Sequence, residues 1–286
     1  MLRLLVIEGN TSEGRARAAA SGGTVASDHY AEVLRALSPG AVIDICYPAD
    51  PGANLPDRMG LAHYDGIAIT GSALNVYDGG PAIEPQVELM RQIYRSGTPC
   101  FGSCWGLQVA TVAAGGTVIA NPRGREIGFA RDITLNEAGL RHPMYEGKSS
   151  HFDAIAVHLD EVALIPEGMT VLAANAWSPV QAAEIRHDGG LFWGVQYHPE
   201  YTFGEIASVF RRYGKPLFEQ GIFRTEEEKQ AFVVDLATLE ASPTDPALVW
   251  RFGLGPAVTD KALRTLEIRN WIEHAVKPAK STRGRA

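Results

Sequence analysis

Two short segments, far apart in the chain, carry residue types that could do chemistry together. The first is Gly102-Ser103-Cys104-Trp105-Gly106-Leu107-Gln108, a cysteine set among small residues. It follows the apolar stretch Thr98-Pro99-Cys100-Phe101 and opens an apolar, helix-like run from Leu107 to Ala114. Strand, sharp turn, helix is the geometry that holds a nucleophile at the end of a sheet. The second segment is Gly194-Val195-Gln196-Tyr197-His198-Pro199-Glu200. In extended chain, residues i and i+2 point to the same face, so His198 and Glu200 converge on one point as a base and the group that orients it. A thiol is a poor nucleophile until ionised, and a helix N-terminus beside a histidine favours the thiolate. Attack by Cys104 on a carbonyl carbon would build negative charge on the oxygen, which needs fixed N–H donors. The Trp105 amide, one residue after the nucleophile, stands where this turn geometry sets one donor.

Together and in this order, the two segments resemble the class I, triad-type glutamine amidotransferases, which carry Gly-x-Cys-x-Gly-x-Gln at the nucleophile and His-Pro-Glu near the end of their domain. The match runs from residue 2 to about residue 220 and both motifs are complete. The resemblance implies an α/β three-layer sandwich with a mostly parallel central sheet, flavodoxin-like, and a cysteine hydrolase acting on a γ-carboxamide through a γ-glutamyl thioester. Cys104 would be nucleophile, His198 base and then acid, and Glu200 the holder of the imidazole tautomer. The loop after Asp65-Gly66-Ile67-Ala68-Ile69 would complete the oxyanion hole. It is usually Gly-Gly-Pro in the family and is Thr70-Gly71-Ser72 here, which makes Gly71 the second donor beside Trp105. Gln108 would lie near the substrate. Family members often carry Ser-His-x-Asp-x-Val before a stretch like Ile165-Pro166-Glu167-Gly168. His158 and Asp160 match it as substrate-binding residues, while Val157 replaces the serine. The earlier Ser149-Ser150-His151 has the wrong spacing, and His151 reads as a surface histidine.

Within that family the chain is most similar to the amidotransferase domain of GMP synthase and its stand-alone relatives. The resemblance then implies glutamine as substrate, glutamate and ammonia as products, and no cofactor. No ATP-using synthetase domain is legible, so the acceptor enzyme would be a separate polypeptide. Two alternatives stay open. One is a γ-glutamyl peptidase or hydrolase that releases an amine and works alone. The other is a regulatory protein of the same fold that has lost turnover, against which the intact triad argues.

The elements that must position these residues follow from periodicity. Leu4–Ile7, Val42–Cys46, Ile67–Ile69 and Cys100–Phe101 read as buried parallel strands. Residues 30–37 and 87–94 between them carry helix-spaced apolar side chains, which argues for a parallel sheet with helices on both faces. The middle of the chain reads as shorter, more antiparallel strands at 117–120, 125–135, 154–158 and 170–174. A hairpin then turns at His187-Asp188-Gly189-Gly190 and its second strand delivers His198. Residues 1–221 read as the catalytic domain and 222–286 as a helical C-terminal extension with a polar, disordered tail from Lys277. Trp250 and Trp271 in this extension call for a packing partner, either the main domain or a second copy in a homodimer.

Composition bounds the rest. The 286 residues are 45% hydrophobic and 21% charged, as in an ordinary soluble globule. A net charge of −7 gives no general attraction to nucleic acid. No apolar stretch reaches the length that spans a bilayer. Three cysteines make no disulfide framework and suit a cytoplasmic protein; Cys46 and Cys100 read as core. No Cys/His cluster has metal-site spacing. Ser21-Gly22-Gly23-Thr24 lacks the Lys-Ser/Thr ending of a phosphate cradle and reads as a mobile loop. Asn121-Pro122-Arg123-Gly124-Arg125-Glu126-Ile127-Gly128 is a charged loop entering a strand; it reads as solvated, with lining the site or contacting a partner as the alternative. His29, His63, His142, His187 and His274 are scattered and carry no role.

Overall fold

In the computed structural model, which describes residues 1–282, eleven strands form one large and one small sheet. They are β1 (Arg3–Ile7), β2 (Val42–Cys46), β3 (Gly66–Ile69), β4 (Cys100–Ser103), β5 (Thr117–Ala120), β6 (Glu126–Leu135), β7 (His151–His158), β8 (Asp160–Leu164), β9 (Met169–Ala174), β10 (Ala182–His187) and β11 (Gly190–Val195). The large sheet runs β2-β1-β3-β4-β11-β10-β9-β6-β7. Its body, β2-β1-β3-β4-β11, is parallel, and the strands beyond β11 continue it antiparallel. β5 and β8 pair separately. The β10–β11 hairpin turns through Asp188 and Gly189, both at positive φ, as a tight two-residue hairpin loop requires.

Alternation along β1 sorts the core into two faces. Leu4 and Val6 point to one side, with Tyr30, Val33 and Leu34 of helix Ala26–Leu37. Leu5 and Ile7 point to the other, against helices Glu84–Ser96 and Trp105–Ala113. The result is three layers. The first face is completed from the far end of the chain: Ile268, Trp271, Ile272, Ala275 and Val276 join it, and Trp271 lies 5.9 Å from the Phe101 ring. A third cluster packs helix Phe203–Arg212 on Ile155 and Val157 and roofs it with helices Glu226–Ala241 and Pro246–Phe252.

The helices after Gly221 therefore share their apolar faces with the sheet. Trp271 is fully buried, whereas Trp250 is 85% exposed. The tail departs from expectation: Lys277–Thr282 is helical, continuing the turn before it, while the rest lies outside the described residues. The loop at Ser21–Thr24 is also tethered rather than mobile. Its Ser21 hydroxyl meets Ser208 at 3.1 Å and the Thr24 amide donates to Glu205. Among the described residues, no helix is long and apolar enough to cross a membrane.

A buried polar knot fastens the C-terminal segment to the strand that leads into the histidine. Lys148 Nζ pairs with Glu267 at 2.9 Å, both side chains being almost wholly buried. The Tyr197 hydroxyl donates to the same carboxylate at 2.7 Å and meets the Tyr145 hydroxyl at 2.9 Å. Breaking one side of a buried ion pair strands the other charge, at a cost of about 3–5 kcal/mol. Lys148→Met should lower unfolding stability by about that amount, and Lys148→Met/Glu267→Leu should recover most of it, because the double change leaves no unpaired charge. Urea denaturation of the wild type and both variants checks this; a double variant no more stable than Lys148→Met would refute it.

Candidate active site

Cys104 stands between β4 and helix Trp105–Ala113 with φ 50° and ψ −100°. A side chain rarely takes this left-handed backbone, and here it lifts the thiol off the sheet end. The flanking glycines explain how the turn closes: a Cβ on Gly102 would fall 2.8 Å from the Gly106 Cα. The turn is anchored by the Cys104 amide donating to Val195 O at 2.7 Å, which ties β4 to β11. The thiol reaches Val157 O at 3.5 Å.

His198 follows β11 directly and its amide donates to Ile155 O. Its Nδ1 bonds Glu200 Oε1 at 2.7 Å, and Nε2 is buried with no hydrogen-bond partner among the described residues. The ring stacks on Tyr201 with centroids 4.0 Å apart. Burial, the largest single influence, pulls the imidazole pKa down. The Glu200 charge and the contact with Cys104 more than offset it and push His198 up to about 10. The imidazolium is thus the form held in place at neutral pH.

Glu200 has its own supports, which the sequence reading did not find. The Ser103 hydroxyl donates to Glu200 Oε2 at 2.8 Å and meets the Tyr30 hydroxyl at 3.1 Å. His29 donates from Nε2 to the Glu200 carbonyl at 2.8 Å, so one of the scattered histidines does touch the site. Ser103 adjoins the cysteine and was legible as part of the turn. Tyr30 and His29 reach the site only through helix packing.

Gly71 lies beneath the His198 ring, where a Cβ would meet His198 Cε1 at 2.6 Å. Its loop is pinned to the end of β1: Thr70 Oγ1 accepts from the Gly9 amide, Ser72 donates to Gly9 O, and Asn10 donates to Gly71 O. Among the described residues, neither the Gly71 nor the Trp105 amide finds an acceptor. The Trp105 side chain is buried and donates to Gln86 at 2.8 Å.

Cys104, His198 and Gly71 share a polar cleft with Gln108 and Asp160. Asp160 accepts from Tyr77 at 3.0 Å, and burial raises its pKa. His158 adjoins the cleft, but both its ring nitrogens are engaged, with Glu126 Oε2 at 2.8 Å and the Asp160 carbonyl at 3.0 Å. The stretch 121–128 divides between the two readings: Pro122 and Arg123 are exposed, while Arg125 and Glu126 turn inward. Glu126 is buried among His158, Asn175 and Gln181, and Arg125 enters the cleft with its guanidinium over Tyr213 at 4.8 Å. Alternation at the start of β6 sends these two neighbours to opposite sides. Cys46 and Cys100 are buried away from the cleft.

The arrangement can deliver a thiolate, a proton and two backbone N–H groups to one carbonyl. Similarity to known proteins gives the family. Residues 35–212 match the family model "Glutamine amidotransferase class-I". A γ-glutamyl-L-1-hydroxyisopropylamide hydrolase from a Pseudomonas species is 36% identical over 97% of this chain and 94% of its own. A GMP synthase from Aquifex aeolicus is 32% identical over 57% of this chain but only 29% of its own length. A glutamine amidotransferase structure from Thermotoga maritima superposes with a TM-score of 0.61 at 17% identity, over 96% of this chain and 98% of that one, which speaks for the fold. The chain belongs to the class I glutamine amidotransferase family and is a cysteine-dependent amidohydrolase of that type.

Proposed function

We propose that this protein hydrolyses γ-glutamyl amides of substituted amines, releasing glutamate and the amine, with Cys104, His198 and Glu200 as its triad. The observation that carries the reading is the lifted Cys104 thiol beside a buried histidine whose Nδ1 is fixed by Glu200 and whose Nε2 is free. The Cys104 thiolate attacks the γ-carbonyl carbon, and the oxygen's charge falls to the Trp105 and Gly71 amides. His198 Nε2–H gives its proton to the leaving nitrogen, the C–N bond breaks and a γ-glutamyl thioester remains. His198 then takes a proton from water as the water attacks the thioester, and glutamate leaves Cys104.

The order of the two substrate readings is reversed from that favoured by the sequence. Two observations support an amine larger than ammonia. The Pseudomonas hydrolase aligns along almost the whole chain, C-terminal helices included, whereas the Aquifex GMP synthase aligns over 57% of it. The catalytic cleft also shares Arg125, Tyr201, Arg212 and Tyr213 with a second, adjoining cleft. Glutamine hydrolysis for a separate synthetase-type subunit is the second reading, favoured by the GMP synthase relatives. The pure protein, with nothing added, should turn over γ-glutamyl-isopropylamide with kcat/KM at least about tenfold above glutamine, the scale of one well-filled apolar group. Activity confined to glutamine and dependent on an added partner would reject the proposal.

The thiol assignment has a direct test. A diazoketone analogue of glutamine should add one equivalent, on Cys104. Burial pushes Cys46 up to about 11 and Cys100 well up, so both stay protonated and unreactive at neutral pH. Modification mainly at Cys46 or Cys100 would overturn the assignment.

The imidazolium sets a pH limit. A raised pKa keeps the proton until the pH climbs through it, so kcat/KM should decline above about pH 10. Glu200 raises that value, and removing a nearby opposite charge shifts a pKa by about 1–3 units. Glu200→Gln should therefore move the alkaline limb downward by about that much. An unmoved limb would mean that Glu200 does not face the titrating group.

A further inference from the structure

The two amides proposed to receive the oxyanion come from different elements. Gly71 lies in the loop after β3, and Trp105 opens the helix after β4. An oxyanion hole works only if its donors are fixed before the charge develops. These two elements must therefore be held in register, and one buried side chain is tied to both.

That side chain is Gln86, on helix Glu84–Ser96. Its Oε1 accepts from the Trp105 indole N–H at 2.8 Å. Its Nε2 donates to Gly9 O at 3.1 Å and to Ala82 O at 2.7 Å. The oxygen and both N–H groups of the amide are thus engaged, and turning it over would set N–H against the indole N–H. The Gly9 peptide completes the clasp. Its carbonyl also accepts from the Ser72 hydroxyl at 2.9 Å, and its N–H donates to Thr70 Oγ1 at 2.9 Å. Thr70 and Ser72 are the chain neighbours of Gly71. Gly9 has no room for a side chain: a Cβ would stand 2.7 Å from Trp105 Cδ1 and 3.1 Å from Gly71 O. Trp105 and the Gly71 loop therefore meet across Gly9, and Gln86 ties the indole to that peptide.

Packing alone does not call for a glutamine here. Gln86 is buried beside Val87, Leu89 and Met90 of its own helix. Apolar groups of the same shape at both ends of a buried hydrogen bond are nearly neutral for stability. Nor does Gln86 line the catalytic cleft, so any effect on the reaction passes through its partners.

Given the hydrolase reading above, on which this rests, we propose that Gln86 is a positioning residue of the oxyanion hole. Through the Trp105 indole and the Gly9 peptide it sets the separation of the Trp105 and Gly71 amides. It thereby stabilises the tetrahedral adduct and leaves substrate binding and the thiol untouched.

Three readouts on Gln86→Met and Trp105→Phe test this, the second variant cutting the same link from its other end. The first is kcat and KM for γ-glutamyl-isopropylamide or glutamine, whichever is turned over. The second is inhibition by glutamate γ-semialdehyde. There the Cys104 S–C bond forms, the carbonyl π pair moves to oxygen and nothing leaves, so the adduct's oxygen fills the hole. Ring closure of the free aldehyde is the same for every variant and cancels in the ratio. The third is alkylation of Cys104 by iodoacetamide, which forms the S–C bond, expels iodide and puts no charge on a carbonyl oxygen. We expect kcat to fall by about tenfold to hundredfold in each variant, short of the hundredfold or more that losing a donor outright costs. KM should stay within about twofold, as for an interaction made only in the transition state. The aldehyde should bind more weakly by the same factor as kcat falls, while the alkylation rate holds. The double variant should be no worse than the worse single one, because both changes cut one link. Variants that lose urea resistance yet keep kcat and aldehyde affinity would make Gln86 a packing residue and overturn the proposal. An alkylation rate that falls with kcat would also overturn it, by placing the damage at the thiol. Wild-type protein that neither turns over a γ-glutamyl amide nor takes up the aldehyde would bring down the hydrolase reading itself, and this inference with it.

Discussion

The left-handed backbone at Cys104 is the constraint around which the site is organised. A non-glycine residue in such a conformation costs on the order of 1–3 kcal/mol and survives only where its surroundings over-determine it. Here they do. Gly102 and Gly106 pack closer than side chains would permit, the Cys104 amide is held by Val195, and the Cys104 carbonyl accepts from Gln108 as the helix begins. The hydrogen bond to Val195 matters most. It belongs to the parallel pairing of β4 with β11, and β11 runs straight on to His198. The same contact that holds the turn thus sets where the histidine arrives. Cys104 follows β4 by one residue and His198 follows β11 by three, so two neighbouring strands of the sheet bring thiol and imidazole together.

The histidine is held from behind as well. Its predecessor Tyr197 points into the opposite layer, as strand alternation demands, and its hydroxyl ends in the buried pair of Lys148 and Glu267. Glu267 belongs to the C-terminal helices, whose Trp271 and Val276 complete one face of the central sheet. Burial pushes the Tyr197 and Tyr145 pKa values well up, so both remain neutral hydrogen-bonding groups across the working pH range. A segment that the linear chain presents as an extension is therefore part of the scaffold that fixes the base. Its other helices roof the cluster under helix Phe203–Arg212, the helix that carries Arg212 to the cleft.

How much of this could be read from the chain depended on distance. The cysteine turn, the His-x-Glu pair and the Asp-Gly hairpin between β10 and β11 are local: each needs only neighbours along the backbone, and each was legible. The parallel strands were legible because burial on both faces makes them continuously apolar. What remained hidden was tertiary. Nothing near His29 or Tyr30 in the chain signals that a helix will lay them against Glu200 and Ser103. Arg125 and Glu126 read as a polar loop because hydropathy cannot tell a solvated pair from one split between a cleft and a buried network. His158 illustrates the reverse case. It fits a motif position, yet its ring is spent on Glu126 and the Asp160 carbonyl. The extra helix Ser12–Ala20 went unread because it buries no residue and so carries no apolar stripe.

Under the proposed hydrolase reading, bond breaking and substrate choice rest on different parts of the molecule. The proposed triad and its two amides sit at the carboxyl end of the parallel strands, where an open α/β sheet places its chemistry. That arrangement is indifferent to what leaves with the nitrogen, because the proton from His198 serves ammonia and a substituted amine alike. Discrimination has to come from whatever lines the adjoining cleft, and there the walls are built by helix Ser12–Ala20 and by Arg125, Arg212 and Tyr213. The sheet can then stay unchanged while the wall of that cleft is altered, so members of one family can share a reaction and differ in the amine they release.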